Sequence, residues 1–345
     1  MGIVCLSGRP IHDFPTSFCC THFLLGLVEL FVQPLDPGRD AYPLSESPPP
    51  VVRASEGYYP KLGGMDWRMT RWRALLGVVL GGALLGGAVY ARRVEPEDVE
   101  VVSISLALPR LDGRFDGYRI AQISDLHADD WMTPGRVSRL VDLINAEEPD
   151  LVLITGDFAT YSPLSSKIRH VPDLVAPLER LHAPDGSFAV LGNHDHKTNA
   201  QVVRRALAAS GVTELCNKVR TLRRGGVGLH LCGVDSALEG VSRLGRVLER
   251  LPEGGAAILL VHEPDVADEV AATGRFDLQL SGHSHGGQLG LPLLRFPFLP
   301  KLSRRYPVGL YSVSEMVLYT NRGLGAHPRF RFACRPEVTI FTLLA

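Results

Sequence analysis

Arg119-Ile-Ala-Gln-Ile-Ser-Asp-Leu-His127 begins as a buried strand and ends in polar residues for which a core strand has no use. Four further stretches repeat the pattern: Leu151-Val-Leu-Ile-Thr-Gly-Asp157, Phe188-Ala-Val-Leu-Gly-Asn-His-Asp195, Ala257-Ile-Leu-Leu-Val-His262 and Leu278-Gln-Leu-Ser-Gly-His-Ser-His285. Short continuous apolar runs of this kind read as strands covered on both faces. Between them, Pro134–Ala146 and Asn199–Ser210 have helical periodicity. Strands alternating with helices imply an α/β sheet with helices on its faces. Read from the residues alone, this is one doubly wound sheet. Ligands of open α/β sheets bind beyond the carboxyl ends of the strands, so the five polar loops are expected to converge on one crevice.

The residue types at those strand ends suit divalent metals. Imidazole and carboxylate together bind Mn, Fe, Zn and similar ions, and the absence of cysteine from the set argues against a thiolate site. Asp125 and His127 are two apart on a turning loop, so both can face one ion. Asp157 stands where one carboxylate can bridge two ions. A pair of ions about 3.5–4 Å apart clamps a phosphate and acidifies a water between them. A lone histidine at a strand end is usually an ordinary surface residue; five polar strand ends in one chain are not explained that way.

The ordered set D-L-H, G-D, G-N-H-D, H, G-H-S-H resembles the calcineurin-like metallophosphoesterases over roughly residues 98–345. It is most similar to the bacterial membrane-anchored branch, with Ser124–His127, Gly282–Gln288 and Arg322-Gly-Leu-Gly325 matching that branch's motifs. The resemblance implies a four-layer α/β sandwich, two mixed β-sheets flanked by helices, holding two divalent ions. Asp125, His127 and His285 would hold the first ion and Asp157 would bridge. Asn193, His262 and His283 would hold the second. His194 would face the scissile phosphate, stabilising its charge or protonating the leaving oxygen, with Asp195 orienting it. Asn321 and Arg322 are expected to contact phosphate. Protein Ser/Thr phosphatases of this fold carry G-D-x-V-D-R-G and G-N-H-E; Gly156-Asp-Phe-Ala-Thr160 and Gly192-Asn-His-Asp195 depart from both.

The chain outside this region divides into two parts. Residues 1–64 are irregular and Pro-rich, and are expected not to belong to the native protein. Residues 65–93 place a basic flank before an uncharged run, Ala74–Ala91, followed by Arg92-Arg93 and the acids Glu95, Glu97, Asp98 and Glu100. That is the order of a membrane anchor; a cleaved signal peptide ending at Val89-Tyr90-Ala91 is the competing reading. Arg68, Arg71 and Arg73 outnumber Arg92 and Arg93, which favours an N-in orientation with the catalytic domain, 94–345, outside the cytoplasm.

Leu289–Tyr311 mixes apolar residues with Arg295, Lys301, Arg304 and Arg305 and is expected to form a membrane-facing lip. Together with the anchor it favours a lipid-linked phosphodiester or pyrophosphate substrate. UDP-2,3-diacylglucosamine, implied by the resemblance, is a candidate whose cytoplasmic location is at odds with the N-in orientation. A phosphodiesterase or nucleotidase of soluble substrates and a tethered metal-binding protein without turnover are the alternatives. With Lys+Arg at 36 and Asp+Glu at 37, no nucleic-acid partner is expected. The six cysteines have no C-x-x-C spacing and read as small buried hydrophobes.

Overall fold

The computed structural model describes residues 67–161, 168–290, 299–326 and 328–345, so the expected leader lies outside the described residues. Helix α1, Trp67–Arg93, has 27 residues and ends on Arg92 and Arg93, a length of about 40 Å at 1.5 Å per residue. Its most apolar window has a mean hydropathy of 2.0, and Leu75, Leu76, Val78, Val79, Leu84 and Leu85 stand exposed. Five glycines and outward-facing leucines make a poor helix for water. By length and composition α1 is a candidate membrane span.

From Gly82 onward the chain forms a compact unit of its own. Its strands among the described residues are β1 (Glu100–Ala107), β2 (Arg119–Ile123), β3 (Leu151–Ile154), β4 (Ser187–Ala189), β5 (Thr213–Glu214) and β6 (Lys218–Arg224). There follow β7 (Val227–Gly233), β8 (Ala256–Leu260), β9 (Leu278–Ser281), β10 (Gly309–Val313), β11 (Met316–Thr320) and β12 (Glu337–Leu344). They make two six-stranded sheets, in the orders β1-β12-β2-β3-β4-β5 and β10-β11-β9-β8-β7-β6. Both are mixed. β12 runs antiparallel to β2 in the first sheet, and in the second β6 and β10 run antiparallel to their neighbours β7 and β11.

Period-two alternation assigns each face of β8. Ala256, Ile258 and Leu260 join a core that also takes Ile120, Val152 and Ile154 from the first sheet, so the two sheets share one interior. Ala257 and Leu259 point the other way, into a smaller core with Val247 and Val270. Those two residues lie on helices α4 (Leu244–Arg250) and α5 (Ala267–Ala272). Helix α2 (Pro134–Ala146) buries Val137, Leu140, Val141 and Ile144; helix α3 (Asn193–Ala209) buries Val203 and Leu207. The layers are therefore helix, sheet, sheet, helix.

The single doubly wound sheet read from the strands is thus replaced by two sheets. The division falls between β5 and β6, where Lys218–Arg224 buries Leu222 alone and pairs as an antiparallel hairpin with β7. Cys216, Cys232 and Cys334 are buried free thiols, as expected of small hydrophobes.

Candidate metal centre

Strands β2, β3, β4, β8 and β9 all stop just short of their polar residues, and the loops that follow are tied to one another. The backbone N–H of Asp125 donates to Gly156 at 2.9 Å, that of His127 to Asp157 at 2.9 Å, and that of Gly282 to His262 at 3.0 Å. Buried bonds join the sheets, among them Gln122 Nε2 to the Ser281 carbonyl at 3.0 Å and the His283 N–H to Asp125 Oδ2 at 3.0 Å. Gly282 is required at that junction, since a Cβ there would lie 1.9 Å from Ser124 Oγ. Asp125, His127, Asp157, His283 and His285 all have φ between 50° and 69°. A left-handed non-glycine residue costs about 1–3 kcal/mol. Five together, each with a polar side chain turned inward, mark a functional cluster.

The side chains form three overlapping groups of possible ligands: Asp125, His127 and His285; His127, Asp157 and His194; and Asp157, His262 and His283. His285 Nε2 lies 3.3 Å from Asp125 Oδ1 and 3.0 Å from His127 Nε2. On the other side, His283 Nδ1 is 3.1 Å from His262 Nε2. Asp157 Oδ2 stands between the two sides, 3.6 Å from His127 Nε2 and 3.2 Å from His262 Nε2. Asn193 opens α3 and is buried beside them.

Electrostatics follow from the crowding. Burial pushes Asp125 up to about 6, against the pull of His262. Burial would push Asp157 up as well, but His262, His194 and His127 hold it well below the usual carboxylate range. Burial would lower His262, yet Asp157 and Asp125 keep it well above the ordinary imidazole value. Burial and His262 press His283 down to about 4, and burial with His127 drives His285 well below its usual value.

This donor set fits divalent ions. Asp125 Oδ1 and Asn193 Oδ1 are buried with no hydrogen-bond partner, a costly state that a cation relieves. Three histidines are pinned through their outer nitrogens by backbone carbonyls: His127 Nδ1 on Ala159 (3.2 Å), His262 Nδ1 on Thr155 (2.7 Å) and His283 Nε2 on Lys301 (2.8 Å). Such bonds leave the inner nitrogen unprotonated for a metal.

Three of the expected site residues have partners within the protein. The Asp195 carboxylate accepts the backbone N–H groups of Asp157 (3.0 Å), Ala159 (2.9 Å) and Gly192 (2.9 Å), and so ties the loops after β3 and β4 together. Burial and Asp157 raise it to about 7 while those donors pull it down. Arg322 is paired with Glu337 and, at 2.8 Å, with Glu100. Asn321 is buried, donating to Thr339 Oγ1 at 2.9 Å and accepting from Gly323 at 2.7 Å. Both bond Glu337, itself buried, which needs partners. Part of the expected lip, 291–298 with Arg295, lies outside the described residues. Its described end is docked, with the N–H groups of Arg304 and Arg305 on Asp265 and Leu299 and Tyr306 buried.

Sequence reading missed Tyr161, whose N–H donates to His194 Nδ1 at 3.1 Å. It also missed the carbonyls of Thr155, Ala159 and Lys301. No sequence signal marks any of them, because the contacts are made by backbone.

A family model described as calcineurin-like phosphoesterase matches residues 118–287. The chain is 35% identical to the uncharacterized metallophosphoesterase YkuE of Bacillus subtilis, over 74% of this chain and 88% of that protein. It is 32% identical to the phosphodiesterase YaeI of Escherichia coli, over 66% of this chain and 82% of the relative. Identity to the UDP-2,3-diacylglucosamine pyrophosphatase LpxG of Chlamydia trachomatis is 28%, over 74% and 92% respectively. The chain belongs to the calcineurin-like metallophosphoesterases, divalent-metal hydrolases of phosphoester bonds.

Proposed function

We propose that this protein hydrolyses a phosphodiester or pyrophosphate bond of a lipid-linked substrate, using two divalent ions (Mn, Fe or Zn). Asp125, His127 and His285 hold one ion, Asn193, His262 and His283 the other, and Asp157 bridges them. The observation that carries this reading is Asp157 Oδ2, which faces His127 at 3.6 Å and His262 at 3.2 Å and so belongs to both groups. Two ions in such a site supply positive charge to a phosphoryl group and acidify water. His194 sits on the His127 side, its ring centre 4.7 Å from that of His127. With Nδ1 accepting from Tyr161, the proton of the neutral ring lies on Nε2, where it can be donated to a phosphoryl or leaving oxygen.

The lipid-linked substrate is supported by the apolar helix α1 and by the short path from its end to the domain: Glu95, just past the helix, is already built into the fold. UDP-2,3-diacylglucosamine is the first substrate to test, as the substrate of the relative LpxG. The name of YaeI favours a second reading, a phosphodiesterase of soluble substrates.

The full chain in detergent, stripped and reloaded with Mn²⁺, should hydrolyse bis-p-nitrophenyl phosphate. It should also turn over UDP-2,3-diacylglucosamine in mixed micelles faster than soluble nucleotide diesters. Preference for the soluble diesters would establish the second reading; no hydrolysis of any diester or pyrophosphate would sink both.

A further inference from the structure

A chain of buried contacts runs from the end of α1 to the first ligand group. Glu95 lies two residues beyond the helix and is 1% exposed. Its carboxylate accepts the backbone N–H of Ala333 at 2.9 Å and that of Cys334. The Cys334 thiol donates to the carbonyl of His285 at 3.3 Å. In parallel, the Arg331 N–H donates to the Ala91 carbonyl in the last turn of α1 at 2.8 Å. The fully buried Arg331 guanidinium grips the carbonyls of Arg322 (2.9 Å), Gly323 (3.0 Å) and Gly325 (2.6 Å). That loop lies on Asp125: Gly325 N–H donates to the Asp125 carbonyl at 2.7 Å and Leu324 N–H to Ser124 at 3.0 Å. Gly323, at φ +71°, passes so close that a Cβ would stand 2.7 Å from that of Asp125.

The other acids of the segment point the same way. Glu97 pairs with Arg329 at 3.3 Å, Asp98 with Arg335 at 2.7 Å and Glu100 with Arg322 at 2.8 Å. What the sequence presents as a polar exit from a membrane is a row of carboxylates fastened to residues 322–335.

We propose that Glu95 and Arg331 are positioning residues for Asp125 and His285, so that the segment leaving α1 is part of the framework of the first metal site. The inference rests on the ligand assignment proposed above. Its physical basis is that His285 Nδ1 has no hydrogen-bond partner, so no carbonyl fixes the ring as one does for His127, His262 and His283. The placement of His285 therefore depends on its backbone, which Cys334 holds and Glu95 holds in turn. Removing Glu95 unpairs the N–H of Ala333 and leaves that of the buried Cys334 without an acceptor, so the Cys334 backbone will shift to find one.

The test is Mn²⁺ binding to the full chain in detergent, by titration and by electron paramagnetic resonance, for wild type, Glu95→Ala, Glu95→Gln and Asp277→Asn. Asp277 is a control. It is another buried carboxylate accepting a backbone N–H, that of Ala257 at 2.7 Å, at the end of β9 away from the site. The wild type should bind two coupled ions. Glu95→Ala should weaken one of them by about 10- to 100-fold, the scale for lost partners of metal ligands. The coupled spectrum should give way to that of an isolated ion. Glu95→Gln, which keeps one acceptor oxygen, should fall between, and Asp277→Asn should lose thermal stability while binding both ions normally. Two ions bound as tightly by Glu95→Ala as by wild type, or both weakened equally, would overturn the inference and leave the dinuclear reading standing. A wild-type chain that binds fewer than two ions would overturn that reading and the inference with it.

Discussion

The two candidate metal sites share Asp157 yet are held by different means. Around the second, the His262 and His283 rings are each fixed by a carbonyl, on Thr155 and Lys301, at 2.7 and 2.8 Å. Around the first, His127 has a longer bond of this kind, 3.2 Å to Ala159, and His285 has none on Nδ1. His285 and Asp125 are placed instead through the main chain, by the Cys334 thiol on the His285 carbonyl and by Leu324 and Gly325 laid on Ser124 and Asp125. A ring pinned on a carbonyl keeps its orientation when its surroundings loosen. A ligand placed by its backbone moves with whatever holds the backbone, so the first site is the more exposed to changes made at a distance.

The strongest test of this contrast removes what the sites have in common. Asp157→Asn should lower the turnover of bis-p-nitrophenyl phosphate by more than about 100-fold and weaken both ions, read by steady-state kinetics and metal content. Retention of one tight ion would show that Asp157 belongs to a single site. His194→Ala should cost about 100-fold in kcat, within the range for a lost proton donor or charge stabiliser, with metal content unchanged. Loss of metal in that variant would place His194 among the ligands and redraw the first site.

Acid should weaken both candidate sites, because His262 of the second, held well above the ordinary imidazole value, must also give up a proton to bind. A metal ligand must be deprotonated, and Asp125 is raised to about 6 whereas Asp157 is held far lower. Below pH about 6 the first ion must displace a proton from Asp125, so its affinity should fall by up to about tenfold per pH unit. At and above pH 7 Asp125 adds no such penalty. Mn²⁺ titrations at pH 5, 6 and 7 check this; equal affinities across that range would remove Asp125 from the first site.

The smallest effect on turnover is expected at Arg322→Ala. Breaking its pair with the buried Glu337 should cost roughly 3 kcal/mol of stability and change kcat by less than about threefold. A loss of 100-fold or more in kcat at unchanged Tm would restore Arg322 to the phosphate, where the sequence first placed it.

That last case shows where reading the sequence stops. Arg322-Gly-Leu-Gly325 is recognisable as a motif, but an arginine beside a metal site serves equally to bind phosphate or to satisfy a buried acid. The choice depends on Glu337 and Glu100, fifteen residues away in one direction and far removed in the other. Asp195 is similar. Its place beside His194 suggests a partner for the ring, whereas its carboxylate turns to the backbone of Asp157, Ala159 and Gly192.

By itself the sequence determined the α/β class, the five strand ends with their Asp, His and Asn side chains, the apolar helix and the family. Those properties are written in residue type and local period: an apolar run followed by Asp, His or Asn at a turn is legible wherever it occurs. Only the tertiary structure decided that the strands form two sheets, which nitrogen of each pinned histidine faces the site, and that the acids after α1 pair with Arg322, Arg329 and Arg335. Strands buried on both faces carry no mark of which strand lies beside them, and a backbone carbonyl has no residue identity to read. The distant acids found their partners only when the chain had closed around them.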